Sequence, residues 1–270
     1  MTDPKILMFG AGNMGGAMLN GWLAGGIAPD RVTVVDPFLA AAPTGVRLLR
    51  EAPQGERFDV VLLGFKPQQL ADAAVQVAPF AADGTLLLSI LAGVDLATLR
   101  KNFPAPAAIV RLMPNLAAAL GKSPIGMVGE GSADGRALAE RLMTPLGQAE
   151  WLSGEEQMDL ITALAGSGPA FVYRFIDALA AGAARLGLPR DQADRLALSM
   201  VEGAAALAAA SADTPGVLAD RVASPGGTTR KGLDVLDADE RILSLMEDTL
   251  RAARDRSAEM TQEARAAGTS

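Results

Sequence analysis

The sequence predicts an α/β fold in its N-terminal part, followed by an all-helical C-terminal part. A glycine turn, Gly10-Ala11-Gly12-Asn13-Met14-Gly15, joins a short apolar run to a segment with helical spacing. Further continuous apolar runs, typical of parallel strands covered on both faces, alternate with helical segments as far as Leu152. Beyond Ser153 we find only helices with start and stop signals, so we expect one domain over 1–153 and a second over 154–270.

The glycine turn has the context of a dinucleotide-binding site. It follows the apolar run Ile6-Leu7-Met8-Phe9 and opens a predicted helix from Met14 to Ala24. Gly10 permits a tight turn, Gly12 lets the backbone approach a pyrophosphate, and Gly15 lets the helix pack against the strand. The helix N-terminus then offers free N–H groups and a positive dipole end to the phosphates. The alternative is an ordinary glycine turn between a strand and a helix.

Four further strands are predicted in the N-terminal part, each as a run of aliphatic residues. They are Val32 to Asp36, Asp59 to Gly64, Leu86 to Ile90 and Ala108 to Arg111. Residues 40–55 are rich in Ala, Pro and Gly and give little pattern. The alternation of these strands with helices predicts a doubly wound, mostly parallel, Rossmann-like sheet.

Two charged residues follow strands, at the edge where open α/β sheets bind ligands. Asp36 lies about 20 residues past the glycine turn, where an acid commonly accepts hydrogen bonds from the adenosine ribose, which favours NAD over NADP. Its alternative role is to cap the strand end near Pro37. Lys66 follows the strand that starts at Asp59, and it either reaches a cofactor ribose or phosphate or is solvated.

The C-terminal part is predicted to consist of helices separated by clear breaks. The expected helices run from Glu155 to Ala165, from Pro169 to Gly187, from Leu188 past Val201, from Thr214 to Ala223, from Thr228 to about Leu236 and from about Asp239 to Ala266. Because this part is rich in Ala, we expect that it needs a partner surface and forms a homo-oligomer.

A second glycine loop, Ser224-Pro225-Gly226-Gly227-Thr228-Thr229, ends at the start of a predicted helix. The free N–H groups of such a helix end bind a carboxylate, and the Ser and Thr hydroxyls add neutral donors. Helix capping alone explains Ser and Thr here, but two consecutive glycines and two consecutive threonines exceed what capping requires. We therefore expect a site for a small carboxylate substrate.

Composition excludes several classes of chemistry. The 270 residues include no Cys and no His, which excludes disulfides, thiol nucleophiles, Ser-His-Asp triads and almost every zinc or transition-metal site, so no metal is expected. A net charge of −7 argues against nucleic acid or an anionic membrane as the main partner. With no run near the ~20 apolar residues of a membrane span and no signal-peptide pattern, we expect a soluble, cytoplasmic protein.

Five motifs occur in order and together resemble those of pyrroline-5-carboxylate reductase. They are the two glycine loops, Lys66-Pro67-Gln68, Arg111-Leu112-Met113-Pro114-Asn115 and Gly166-Ser167-Gly168-Pro169-Ala170. The resemblance covers essentially the whole chain, and the loop at 224–229 is its most specific motif. It implies NAD(P)H-dependent reduction of the cyclic imino acid 1-pyrroline-5-carboxylate to L-proline, the last step of proline synthesis. It also implies a nucleotide-binding domain, a helical dimerisation domain, and a homodimer that in the family often assembles into a decamer.

The resemblance also assigns site residues. It places NADPH or NADH against Phe9, Gly10, Ala11, Gly12, Asn13, Met14, Asp36, Pro37, Phe65, Lys66, Pro67 and Ala92. It places the substrate against Glu155, Asp220, Val222, Ser224, Thr228 and Thr229. Thr229 and Ser224 are the expected catalytic residues, with Thr229 hydrogen-bonded to the ring nitrogen while loop N–H groups hold the carboxylate. For Glu155 and Asp220, a solvated acid at a helix end is the alternative.

Three departures from the family pattern leave the cofactor and part of the substrate site open. Residues 50–53 lack the Asn that often contacts the cofactor, and Asp36 stands where NADPH-preferring members commonly carry a neutral or hydroxyl residue. Arg230 and Lys231 follow the double threonine, where small or apolar residues are common.

Two other classes of protein fit the sequence less well. A β-hydroxyacid dehydrogenase needs a catalytic lysine on an early helix of its second domain, but after Lys122 the only lysine is Lys231. A non-catalytic nucleotide-binding protein would have no use for the carboxylate loop at 224–229.

Overall fold

The computed structural model describes residues 3–267, and its internal contacts define two compact units. Unit 1 contains residues 3–166 together with 252–267, and unit 2 contains residues 167–251. The domain limits predicted from the sequence, 1–153 and 154–270, stay a prediction.

Unit 1 is built on one eight-stranded sheet. Its strands are β1 (Ile6–Phe9), β2 (Val32–Val35), β3 (Arg47–Leu49), β4 (Val60–Leu63), β5 (Leu86–Ser89), β6 (Ala108–Met113), β7 (Ser123–Gly131) and β8 (Gly147–Trp151). Their order in the sheet is β3-β2-β1-β4-β5-β6-β7-β8, and every neighbouring pair is parallel except β6 with β7. The predicted doubly wound, mostly parallel sheet is confirmed, and β3, β7 and β8 were not predicted.

Helices cover both faces of this sheet. They are α1 (Asn13–Ala24), α2 (Leu70–Val77), α3 (Leu96–Asn102), α4 (Ala133–Met143) and α5 (Met158–Ile161). Successive residues of a strand point to opposite faces, so in β1 Met8 packs in one core cluster with Trp22 of α1, while Leu7 packs in the other with Val77 of α2. The indole Nε1 of the fully buried Trp22 donates to the Leu142 carbonyl oxygen at 2.7 Å, which satisfies its one polar atom.

Unit 2 is entirely helical, as predicted. It contains α6 (Gly168–Arg185), α7 (Arg190–Ala210), α8 (Pro215–Val222), α9 (Thr228–Asp237) and the first part of α10 (Arg241–Ala267). Where α6 packs on α7 its core is a small cluster of Ala180, Ala193 and Ala197. Many larger apolar side chains are exposed, among them Val172, Phe175, Leu196, Leu207, Val222 and Leu243. This surface is suited to contact with another protein chain.

Among the described residues, no single helix has both the length and the apolar character needed to cross a membrane. The pair α7 and α8 meets those criteria together, on length and composition only, and is bent by 120°.

Candidate functional site

The predicted cofactor residues of unit 1 lie together because they follow parallel strands that end at one edge of the sheet. β1 lies between β2 and β4, and Phe9 is in register with Val35 and Leu63. The strand order changes direction between β1 and β4, which is where open α/β sheets bind ligands. Residues 10–14 follow β1, residues 36 and 37 follow β2, residues 65–67 follow β4, and residue 92 follows β5.

The three glycines of the first loop have different surroundings. Gly10 has φ +89°, and a Cβ there would lie 2.9 Å from backbone atoms of Gly64 and Phe65. A Cβ on Gly15 would lie 2.7 Å from the Gly10 carbonyl oxygen, so both positions are fixed by packing. Gly12 has nothing within 4 Å of such a Cβ and stands at the N-cap of α1 without a side-chain capping bond. Open space beside uncapped N–H groups fits a dinucleotide pyrophosphate.

The Asp36 carboxylate is held by three backbone N–H groups. Oδ2 accepts from Ala11 at 2.9 Å, and Oδ1 accepts from Phe38 at 2.8 Å and Leu39 at 3.0 Å. Burial opposes the charge, but these hydrogen bonds and the nearby Arg50 guanidinium outweigh it, so the pKa of Asp36 lies below its usual range. The capping role considered from the sequence is therefore present in the structure, and a ribose contact of Asp36 stays a prediction.

Lys66 lies at the start of the short 3₁₀ turn Pro67–Gln69. Its backbone N–H donates to Gln69 Oε1 at 3.0 Å, which fixes the chain direction after β4. The Lys66 side chain is exposed, and it has no ion pair within residues 3–267. Both alternatives for this lysine, contact with a cofactor and solvation, stay open.

The loop after β5, which contains Ala92, is held by the C-terminal part of α10. A Cβ on Gly93, at φ +75°, would lie 3.3 Å from the Met260 carbonyl oxygen. Asp95 caps α3 by accepting from the Thr98 N–H at 2.7 Å, and its Oδ2 accepts from Arg265 Nε at 2.7 Å. Burial alone would raise the pKa of Asp95, but the bonds from Thr98 and Arg265 outweigh it and hold the pKa below its usual range.

Asp95→Asn is therefore expected to lower the free energy of unfolding at pH 7 by about 1–3 kcal/mol, because the ion pair between the buried Asp95 carboxylate and the exposed Arg265 is lost. The lowered pKa makes this contribution complete above the unfolded-state pKa of about 4, and it is lost as the pH falls through the folded-state value. Denaturant unfolding should show the full difference between variant and parent at pH 7 and a smaller difference near pH 3. Asp191→Asn, which removes an exposed pair with Arg195, is the control and should change little at either pH.

Glu155 lies in unit 1, just after β8. Its Oε1 accepts from Arg111 Nη1 at 2.6 Å and from the Leu96 N–H at 2.8 Å. Arg111 is buried, so Glu155 neutralises a buried cation and also satisfies an N–H group in the first turn of α3. This carboxylate thus has a structural role, and its predicted contact with substrate stays a prediction.

The Asn115 side chain shows that the motif at 111–115 also has a structural role. Asn115 is buried, its Oδ1 accepts from the Ala117 N–H at 2.9 Å, and its Nδ2 donates to the Ala165 carbonyl oxygen at 2.9 Å. The predicted turn after β6 is therefore tied to the π-helical turn Thr162–Gly166. Sequence reasoning identified the turn but did not find that Arg111 pairs with Glu155 or that Asn115 bonds Ala165, contacts that each span more than forty residues of the chain.

In unit 2, the second glycine loop leads directly into α9. Gly226 has φ +73°, and the Gly227 N–H donates to the Ser224 carbonyl oxygen at 2.9 Å, which closes the loop. Gly227 is the N-cap of α9 and no side chain caps the helix, so capping does not occupy the hydroxyls of Ser224, Thr228 and Thr229. These hydroxyls are exposed beside the free N–H groups of the first turn, an arrangement that suits a carboxylate.

Asp220 and Val222 lie at the end of α8, which precedes this loop. Asp220 Oδ1 accepts from Arg230 Nη2 at 2.7 Å, so an ion pair joins α8 to the first turn of α9. The hydrogen bond with Asp220 raises the pKa of Arg230. The arginine noted as a departure from the family pattern thus has a partner among the predicted substrate residues.

Comparison with known proteins matches both parts of the chain. A family model described as pyrroline-5-carboxylate reductase dimerisation matches residues 155–260. A second model, described as NADP oxidoreductase, coenzyme F420-dependent, matches residues 5–93.

Individual relatives match over nearly the full length. Pyrroline-5-carboxylate reductase 2 of Bacillus subtilis is 35% identical, with 96% of each chain covered. The structure of a pyrroline-5-carboxylate reductase from Coxiella burnetii is 30% identical, with a TM-score of 0.86 over 96% of this chain and 99% of that one. That of a pyrroline carboxylate reductase from Plasmodium falciparum with NADP bound has a TM-score of 0.82 over 97% and 99%, and at 24% identity this likeness concerns the fold. The chain therefore belongs to the pyrroline-5-carboxylate reductase family.

Proposed function

We propose that this protein catalyses the NAD(P)H-dependent reduction of 1-pyrroline-5-carboxylate to L-proline, the last step of proline synthesis. The observation that supports it most is the loop at 224–229, which presents uncapped N–H groups and three free hydroxyls to a small carboxylate. The glycine turn at 10–15 suits a dinucleotide, which is the second ligand that the reaction needs. Membership of the reductase family supports one reaction that uses both the cofactor and the carboxylate substrate.

The chain's own residues account for cofactor binding. The open space at Gly12 and the N–H groups of Asn13 and Met14 would take the pyrophosphate. The remaining contacts are proposed for Phe9, Gly10, Ala11, Asp36, Pro37, Phe65, Lys66, Pro67 and Ala92. A bound NADPH or NADH supplies the hydride that the imine carbon receives.

The substrate loop has two tasks in this proposal. The N–H groups at the start of α9, with the hydroxyls of Ser224 and Thr228, hold the carboxylate and orient the ring. Thr229 Oγ1 accepts a hydrogen bond from the protonated ring nitrogen, which keeps its proton while it receives the C=N electron pair. Glu155, Asp220 and Val222 are proposed to line the same substrate. No protein side chain has to transfer a proton in the reducing step, which agrees with a sequence that contains no His.

Parallel steady-state assays with NADPH and with NADH test the proposed reaction. We expect oxidation of the cofactor that depends on 1-pyrroline-5-carboxylate, with L-proline as the product. The matched control is 1-pyrroline, which lacks the carboxylate, and its kcat/KM should be lower by about 100-fold or more because the loop donors stay unpaired. Absence of turnover with both cofactors, despite measurable cofactor binding, would contradict the proposal.

The proposal includes a homodimer and the further assembly of dimers into a decamer. The exposed apolar side chains of unit 2 and the match to a dimerisation model support association of the chains. Light scattering on the purified protein should give two or ten times the chain mass of 27.7 kDa, and a monomer mass would contradict it. The cytoplasmic location predicted from the sequence stays a prediction.

A further inference from the structure

We propose that Arg50 and Phe38 form a subsite for an adenosine 2′-phosphate, with Arg50 as the cation for the phosphate and Phe38 as a stacking surface for the base. The subsite rests on the proposed function, since it concerns which dinucleotide the enzyme selects. It runs against the simplest interpretation of Asp36, whose carboxylate at the end of β2 is typical of enzymes that prefer NAD.

Arg50 reaches the loop after β2 because β3 pairs with β2 in parallel register, with Leu49 opposite Val35. Its Nη1 donates to the Asp36 carbonyl oxygen at 2.9 Å and to the Leu39 carbonyl oxygen at 2.7 Å. These bonds fix the guanidinium across the loop after β2. Nε and Nη2 have no acceptor in the described part of the chain, which leaves them available to a phosphate.

Arg47, the first residue of β3, differs from Arg50, which directly follows that strand. Its Nη1 bonds both carboxylate oxygens of Glu56, at 2.8 and 2.9 Å, so its charge is already paired. Arg50 donates only to backbone carbonyl groups, which carry no net charge. Of these two exposed arginines of the β3 segment, Arg50 is the one suited to a dianionic ligand.

The Asp36 carboxylate does not oppose this assignment. Three backbone N–H groups already bond its two oxygens within the loop, two of them at Oδ1. A carboxylate that already accepts three hydrogen bonds is poorly placed to accept two more from the hydroxyls of a ribose diol. Those two bonds are the usual basis of selection for NAD. The Arg50 cation lies near Asp36, where it offsets the negative charge of the carboxylate that would otherwise repel a phosphate.

Phe38 is an exposed aromatic residue in the same loop after β2. Its side chain is 87% exposed, which is unusual for an aromatic residue. The ring therefore has no role in the core of unit 1. Its N–H is bonded to Asp36 Oδ1, so the residue belongs to the loop that Arg50 braces. An exposed aromatic residue and a cation bonded to the same loop offer the two contacts that an adenosine phosphate needs, a stacking face and a charge.

Binding constants of NADPH and NADH, measured by fluorescence titration without substrate, test the subsite. Arg50→Gln should raise the ratio of the NADPH Kd to the NADH Kd by about 10-fold to 100-fold, because charge-assisted bonds to the 2′-phosphate are lost. Arg50→Lys should keep part of the preference, and Arg47→Gln is the matched control that should leave the ratio unchanged. Phe38→Ala should weaken both cofactors equally, since both carry adenine. Adenosine 2′,5′-bisphosphate should lose affinity for Arg50→Gln, whereas 5′-AMP should not.

An unchanged ratio in Arg50→Gln would overturn the subsite, whether or not both affinities fall. A ratio that rises equally in Arg47→Gln and Arg50→Gln would also overturn it, since a general loss of positive charge would then explain the result. These measurements need no turnover, so they separate the subsite from the reaction. If 1-pyrroline-5-carboxylate is not reduced, the proposed function fails while the expected Kd ratio is unaffected.

Discussion

Thr229→Ala is expected to lower kcat with saturating 1-pyrroline-5-carboxylate by about 10-fold to 100-fold. The proposed hydrogen bond joins the Thr229 hydroxyl to a charged ring nitrogen, and bonds of this kind contribute about 1.5–3 kcal/mol. The loss should appear in kcat because this bond orients the imine for hydride transfer, whereas the carboxylate contacts of the loop remain. Thr229 is exposed and does not cap α9, so the substitution should leave the thermal midpoint nearly unchanged.

The matched control for this prediction is Thr229→Ser, which keeps the hydroxyl and should retain most of kcat. The cofactor Kd should stay the same in both variants, because Thr229 is assigned to the substrate alone. Wild-type turnover of Thr229→Ala at saturating substrate would remove Thr229 from its proposed catalytic role.

Gly12→Ser is expected to weaken the binding of NADPH and of NADH by about 100-fold while the protein stays folded. The backbone at Gly12 has φ −63° and ψ −162°, which serine adopts without strain, and a Cβ there meets nothing within 4 Å. Serine is also a favoured N-cap residue, so the thermal midpoint should hold or rise. The added side chain would occupy the space, and its hydroxyl the N–H groups, that the pyrophosphate needs.

Gly15→Ala provides the contrasting variant in the same loop. A Cβ at Gly15 would lie 2.7 Å from the Gly10 carbonyl oxygen, so alanine should lower the thermal midpoint at a cost of about 1–3 kcal/mol. Titration of cofactor fluorescence together with thermal unfolding separates the two effects. If Gly12→Ser bound both cofactors as tightly as the parent, the assignment of this turn to the pyrophosphate would be wrong.

The parts of the fold that sequence reasoning predicted are those with a strong local signal. β1, β2, β4 and β5 are fully buried four-residue strands, and burial on both faces requires a continuous apolar run that is visible in the sequence. The helices of unit 2 were predicted because prolines and N-cap residues mark their starts, as Thr214 does for α8. Both glycine loops were identified from their flanking segments. The loop at 10–15 lies between a predicted strand and a predicted helix, and the loop at 224–229 ends at the start of a predicted helix.

The strands that were not predicted lack such a signal. β3 is three residues long and lies at the sheet edge, where burial imposes little pattern. β7 contains glycines that strand propensity disfavours, yet Gly129 is required because a Cβ there would lie 2.5 Å from the Ile109 carbonyl oxygen on β6. β8, at the opposite edge, alternates between exposed and half-buried residues and includes Gly147 and two polar side chains.

The site residues that were not found from the sequence depend on contacts between distant segments. Arg50 contacts the loop after β2 only because β3 pairs beside β2, and a segment without a strand pattern gave no indication of that pairing. The same holds for Arg265, which contacts Asp95 across 170 residues of sequence. Sequence spacing predicts which residues leave a strand at the same edge, but it does not predict which side chains from remote helices or unrecognised strands meet them there.

Transfer of a deuterium label tests the central claim most directly. The protein would be incubated with 1-pyrroline-5-carboxylate and NADPH that carries deuterium at both hydrogen positions of the nicotinamide C4, and the product would be analysed by mass spectrometry. We predict L-proline with one deuterium at C5, the carbon of the former C=N bond, and no label at that carbon when the deuterium is supplied only by the solvent. Absence of L-proline, or L-proline without deuterium at C5, would contradict the assignment of this protein as the reductase.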